Sequence, residues 1–227
     1  MKSGMPILEL IDYSLRPEGV GNGLTGFSFS LSAGDGYSIE TDSIDDAALL
    51  LKALVLWVTP REGTYRFEGI PVDLSDYRNT LSCKQRMGYI ASDTALISNR
   101  SIRDNLLFMR YFHENSLGLT LDDRTADLCR EFDIYGKLDR RPGELHPRDI
   151  RNAITIRELS KSPDVLVLER PEDFIDHTKF GRFMDTVSEM TRQNLPLVFY
   201  SADADFVKKF SNKKIQISKG RLTSDSP

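Results

Sequence analysis

Apolar residues follow two different rhythms along this chain. Ile7–Ile11 and Gly26–Leu31 read as short strands, the second alternating through Phe27, Ser28, Phe29 and Ser30. Gly34-Asp35-Gly36 marks a turn, and Tyr37–Ile39 predicts another short strand. Ala47–Trp57 carries apolar side chains around most of its circumference, as a buried helix does. Met87–Ala91 is a further strand candidate. From Ser101 to about Glu158 the pattern is helical. Ser101 and Asp104 have the spacing of a capping box, and a second amphipathic run starts at Thr120 and continues through Leu128 and Phe132. Asp164–Leu168 is a continuous apolar run, the look of a strand buried on both faces of a parallel sheet. Lys179–Arg192 predicts a helix, Leu195–Tyr200 a buried strand, Asp203–Phe210 a helix and Ile215–Ser218 a strand. Strands and helices alternate at both ends with a helical stretch between them, which predicts an α/β core carrying a helical lobe.

Composition narrows the function classes. The 227 residues suffice for one sizeable domain, or a core with a smaller lobe. A net charge of -4 runs against a general nucleic-acid binder, whose footprint is basic, and leaves no broad basic face for anionic lipid. Cys83 and Cys129 lie far apart in sequence, which fits a reducing compartment and two small buried apolar residues. His113, His146 and His177 form no metal-ligand spacing with each other or with the cysteines, so no metal is expected. Met1–Leu10 lacks the long apolar core of a signal peptide. The longest apolar stretch, Ala47–Val58, is interrupted by Lys52 and is shorter than the ~20 residues a membrane span needs. The expectation is a cytoplasmic protein that inserts no segment into the membrane and reaches it only through a partner.

The order of elements then acquires a family likeness. Ser162–Asp176, SPDVLVLERPEDFID, resembles in a gapless register the Walker B and D-loop segment of ABC-transporter ATPases, with Pro163, Asp164, Leu166, Leu168, Pro171 and Asp176 coinciding. Gly88–Leu107 resembles the Q-loop and the start of the lobe that follows it, and Lys219-Gly220-Arg221 the turn that closes these domains. The resemblance covers nearly the whole chain. It implies a P-loop NTPase-like three-layer α/β core with an N-terminal antiparallel β subdomain. Residues 1–92 and 153–227 would form the core and 93–152 the helical, signature-type lobe. Within the lobe, Leu96–Asn99, Arg110–His113 and Arg140–Leu145 look most like ATPases of lipid-trafficking Mla/MCE-type systems.

Position by position, the family's nucleotide chemistry is substituted. The phosphate loop, GxxxxGK[ST], must follow a strand and open a helix so that bare N–H groups cradle phosphate. It falls on Thr41–Ala48: Thr41, Ile44 and Asp46 stand for glycines, Ala47 for the lysine and Ala48 for the magnesium-binding hydroxyl. Ser92 replaces the Q-loop glutamine, Glu169 the magnesium aspartate, Arg170 the catalytic carboxylate and Ala202 the switch histidine. The signature aligns with Leu145–Asp149, where His146, Pro147 and Arg148 stand; Pro147 has no N–H but suits a helix start. A lost charge-assisted hydrogen bond costs about 1.5–3 kcal/mol. A carboxylate ~5 Å from a phosphate repels it by roughly 3 kcal/mol. A micromolar site has only about 8 kcal/mol in hand, so affinity for nucleotide is expected to be millimolar or nil.

Ser43 and Asp46 also have the spacing of a capping box. Two readings of Asp45 and Asp46 therefore stand: the helix fills its own anion site with these side chains, or they form a solvated acidic loop. The resulting expectation is a pseudo-ATPase with no cofactor. It would be a non-catalytic subunit or regulator beside a membrane-embedded transporter subunit or a sister ATPase subunit, peripheral on the inner membrane. The alternatives are a soluble interaction module, a homodimer for instance, or a residual weak ATP binder. Phe108, Tyr111 and Phe112 lie on one helical stretch of the lobe and suit a partner groove, although core packing is the more common role for such residues.

Overall fold

In the computed structural model, residues 5–114 and 118–224 are described, except for the side chains of Phe112, His113 and Glu114. The chain builds two sheets. Strands β1 (Leu8–Leu15), β2 (Leu24–Leu31), β4 (Glu62–Phe67) and β5 (Ile70–Pro71) form an antiparallel sheet in the order β2-β1-β4-β5. Strands β3 (Gly36–Thr41), β6 (Met87–Ile90), β7 (Val165–Glu169), β8 (Leu197–Tyr200), β9 (Lys213–Ser218) and β10 (Arg221–Ser224) form the second, in the order β10-β9-β3-β8-β7-β6. All its pairings are parallel except β9 with β10.

Strand β7 shows how the layers arise from sequence. Its run of Val165, Leu166, Val167 and Leu168 is fully buried. Successive side chains point to opposite faces. Val165 and Val167 join a core shared with the antiparallel sheet and helix α1 (Ile44–Leu54), while Leu166 and Leu168 join one shared with helices of the other face. Those helices are α3 (Ile102–Glu114), α4 (Asp123–Glu131), α5 (Pro147–Ser160), α6 (Pro171–Phe174), α7 (His177–Arg192) and α8 (Ala204–Phe210). Helix α2 (Tyr77–Lys84) lies outside this core. Helix α5 runs unbroken across positions 152 and 153, the boundary expected between core and lobe.

Several expected elements form for the expected reasons. At the start of α3, Asp104 N donates to Ser101 Oγ (3.0 Å) and Ser101 N to Asp104 Oδ2 (3.3 Å), closing the capping box. Asp203 caps α8 by accepting from Phe206 N at 2.7 Å. Other elements differ. Helix α1 stops at Leu54 because Leu56 turns left-handed (φ 60) and Trp57 N closes back on Lys52 O at 2.8 Å. Trp57, expected inside the helix, therefore stands on the surface, 47% exposed. Helix α2 carries too few apolar residues to show a period, burying only Thr80 and Cys83. The second amphipathic run starts at Asp123 behind an Asp122 cap, not at Thr120. Cys83 and Cys129 are both buried and free, and burial pushes the Cys129 thiol up to about 11.

Candidate functional site

The C-terminal ends of β6 and β7 and the start of α1 border a cleft of about 370 Å³. Ile44, Ser92, Glu169 and Arg170 line it together with Arg151, Asp173 and Phe174, so four of the substituted positions meet there. Thr41, Asp45, Asp46, Ala47, Ala48 and Ala202 do not line it. Thr41 ends β3, and its Oγ1 accepts from Ser43 N (3.0 Å) while donating to Ser43 O (2.9 Å). Ala47 is fully buried in the core, with no room for solvent beside its methyl group.

The acidic pair at the start of α1 engages a loop that carries no motif in the sequence. Ser43 caps the helix, accepting from Asp46 N at 3.2 Å. The reciprocal half of the expected capping box does not form, because Ser43 N goes to Thr41. The Asp46 carboxylate turns instead to the β1–β2 loop. Its Oδ1 accepts from Asn22 N (2.8 Å) and Gly23 N (2.9 Å), and its Oδ2 from Asn22 Nδ2 (3.0 Å). Asp45 Oδ2 accepts from Val20 N at 2.8 Å. Asp46 is fully buried, and Lys52 ties the same loop through Glu18 (3.5 Å) while pairing with Asp93 (3.2 Å). The carboxylates are thus neither bonded to their own helix nor loose in solvent; loop amides hold them. With this clasp closed the end of α1 does not fit a magnesium-polyphosphate, since side-chain oxygens already occupy the loop's donors.

The second wall is equally tied down. Arg170 sits in the left-handed region (φ 44), gives its N–H to Tyr200 O (2.7 Å), and pairs with Asp173 (2.6 Å) rather than with its neighbour Glu169. Glu172, at a position with no motif role, accepts from Ser201 Oγ and from Ala202 N, both at 2.7 Å, and so fixes the loop of the switch position. Glu169 receives the Tyr89 hydroxyl at 3.2 Å.

Burial, and next the charge of Asp93, hold the Glu169 carboxyl above its ordinary range, against Tyr89, Lys52 and Arg170. Stability linked to a raised carboxyl is fully present below the unfolded pKa and is lost as pH rises through the folded one. Ionised Glu169 is therefore a cost at neutral pH. Glu169→Gln is expected to raise stability at pH 7 by about 0.5–1 kcal/mol, the gain shrinking toward pH 4. Urea unfolding at the two pH values measures it, and a loss of stability at pH 7 would show that the carboxylate is wanted ionised.

At the signature position, Pro147 opens α5 as expected. His146 caps it, its Nδ1 accepting from Arg148 N at 3.3 Å, and His146 and Arg148 are exposed. A separate groove of about 170 Å³ runs between β6 and α3. Trp57, Tyr89, Ile97, Phe108 and Met109 supply its apolar lining, with Trp57 and Tyr89 edge to face at 5.0 Å. Phe108 faces it as expected. Tyr111 lies on α3 but outside the lining, and the Phe112 side chain lies outside the described residues. Trp57 is hidden from the sequence pattern because its helix ends three residues earlier.

No family model matches the chain. Among curated proteins, the molybdenum import ATP-binding protein ModC of Brucella melitensis is 26% identical over 142 residues, 62% of this chain but only 38% of ModC. The lipoprotein-releasing system ATP-binding protein LolD 1 of Caulobacter vibrioides is 22% identical over 203 residues, covering 89% of this chain and 87% of LolD 1. The methionine import ATP-binding protein MetN of Lactobacillus acidophilus is 22% identical across 96% of this chain and 64% of MetN. Among solved structures, a dimeric bacterial ABC transporter cassette superposes with a TM-score of 0.80 at 14% identity, covering 96% of this chain and 98% of its own. A post-hydrolysis state of a cassette bound to ADP and Pi superposes at 0.79, also at 14% identity.

These likenesses bear out the three-layer cassette fold. They also correct the expectation of a pseudo-ATPase outside the enzymes. The relatives are named as ATP-binding proteins of transport systems, and one similar cassette was captured after hydrolysis, which points to an ATPase. The expectation rested on the side chains of Thr41–Ala48, Arg170 and Ala202 alone, whereas the backbone keeps the cassette's strand, turn and helix through β3 and α1. Among the described residues no helix is long and apolar enough to cross a membrane. The chain is a homologue of the ABC-transporter ATP-binding proteins and carries their cassette fold.

Proposed function

We propose that the chain is the ATP-binding subunit of a membrane transport assembly and that it seats a membrane-embedded partner in the groove of Trp57, Tyr89 and Phe108. The observation that carries this reading is the half-exposed aromatic pair at that groove, Trp57 at 47% and Phe108 at 46%. Large apolar side chains left open in a concave seam between core and lobe suit the apolar face of a partner helix. The core of residues 1–92 and 153–227 supplies one wall and the lobe of residues 93–152 the other. A second cassette subunit, identical or sister, completes the assembly, which sits on the cytoplasmic face of the inner membrane. Its nucleotide is ATP with magnesium. Nucleotide is gripped weakly, because Thr41, Ile44, Asp46, Ala47, Ala48, Ser92, Arg170 and Ala202 supply fewer phosphate and magnesium contacts than the family pattern.

The test is recovery of the tagged chain from its own host's membranes. It is expected to co-purify with an integral membrane protein, and Trp57→Ala with Phe108→Ala is expected to lower that recovery at least tenfold while the isolated variant melts normally. A soluble homodimer indifferent to membranes would overturn the reading in favour of an interaction module.

A further inference from the structure

We propose that the groove of Trp57 and Phe108 takes a partner helix of one chemistry: an apolar face that carries a carboxylate, Asp or Glu, where it passes Lys84. The inference rests on reading the chain as a subunit that seats a membrane-embedded partner in this groove. It goes beyond that reading by stating what the partner must present there.

The charges along the groove are unequal. Its charged lining consists of Lys84, Arg157, Lys161 and Glu158. Glu158 is buried and already engaged, since Tyr89 N, Arg157 Nε and Lys161 Nζ all donate to it. One carboxylate shared by two cations leaves positive charge uncompensated. Lys84 adds to that surplus. It ends α2 just ahead of β6, is half-buried, and makes no ion pair or side-chain hydrogen bond among the described residues. Lys161 Nζ lies 3.5 Å from Met87 O, so it too stands by the start of β6. The last turn of a helix favours a cation. That accounts for a lysine at the end of α2, but not for three cations lining one apolar groove.

Burial turns this surplus into a selection rule. A helix resting on the half-exposed rings of Trp57 and Phe108 covers the groove and takes water from the cations along it. Charge removed from water without a partner is costly, and a carboxylate within hydrogen-bond reach offsets that cost. Glu158 cannot serve twice, and no second acid lines the groove among the described residues. The partner must therefore supply one. A helix presenting Lys or Arg at that point meets like charge and is rejected. The aromatic rings hold the helix, and the carboxylate selects it.

The experiment uses the full chain recovered with its membrane protein from the host's membranes. A carbodiimide, which joins a lysine amine to a carboxylate in contact, is applied to the native complex, and linked peptides are read by mass spectrometry. Lys84 is expected to be joined to an Asp or Glu of the membrane protein. Lys84→Glu is expected to lower recovery about tenfold or more, as reversing one member of a covered charge pair does. Lys84→Arg is expected to keep recovery near the native level while removing the link. Replacing the linked carboxylate by Lys is expected to restore recovery with Lys84→Glu. Lys84 packs in neither hydrophobic core, so the isolated variants are expected to melt as the native chain does. If Lys84→Glu misfolds, the link on the native complex decides alone. Lys84 joined to no residue of the membrane protein, or Lys84→Glu recovered as well as the native chain, overturns the inference. The seating reading then stands if Trp57→Ala with Phe108→Ala still loses the partner. A native chain that brings down no membrane protein overturns both.

Discussion

Phe206→Ala is expected to destabilise the protein by about 4 kcal/mol, the middle of the range for emptying an aromatic core position. Phe206 is fully buried and lies at the centre of an aromatic cluster. Phe199 meets it edge to face at 5.1 Å, Phe183 stacks at 6.2 Å, and Phe180 and Phe210 close the ring at 5.9 and 4.6 Å. These residues come from β8, α7 and α8, so a cavity there cannot collapse without moving three elements. Aromatic pairs also contribute beyond their buried area. In a domain of this size the midpoint of thermal unfolding should fall by roughly 8–16 °C. Phe206→Leu should cost about 1–2 kcal/mol, because most of the volume stays. Calorimetry on the three proteins checks the order. A loss below about 2 kcal/mol for alanine would mean that α8 is not anchored by this ring. Phe206 N also donates to the Asp203 cap, so the alanine protein should show faster amide exchange through residues 201–206.

The second large effect concerns a buried charge. Glu158 on α5 is 3% exposed. It accepts from Tyr89 N at 3.2 Å, from Arg157 Nε at 2.8 Å and from Lys161 Nζ at 2.5 Å. Burial, the largest influence, pushes its carboxyl up, but Lys161 and Arg157 together bring it below its ordinary value. A lowered carboxyl contributes stability that is present above the unfolded pKa and is lost as pH falls through the folded one. Glu158→Gln keeps the shape and removes the charge. It is expected to cost about 3 kcal/mol at pH 7, the lower end for breaking a buried ion pair, because Arg157 and Lys161 are each 20% exposed and can turn to water. The penalty should shrink steadily below the ordinary carboxylate range. A penalty independent of pH would assign the loss to packing and not to charge.

Much of this structure was legible because its causes are local. The Val165–Leu168 run declared its two-sided burial, and Ser101 with Asp104 declared a helix start. Strands β4 and β10 and helix α2 were not foreseen. Only Tyr65 and Phe67 are buried along β4, and α2 buries Thr80 and Cys83, so neither carries a strong apolar period. At the site, the family spacing placed Ile44, Ser92, Glu169 and Arg170, which do share one cleft. The partners of Asp46 were not legible. They lie 23 and 24 positions away, in a glycine-rich loop with no hydrophobic signal.

The fit of Gly21 against Asp46 also constrains how this chain can change by descent. A glycine at position 46, the residue of the family pattern, would strand the donors of Asn22 and Gly23 if it arose first. Any larger residue at position 21 would strike Asp46 if that came first. Neither substitution is neutral alone, so the two positions are bound to drift as a pair or not at all.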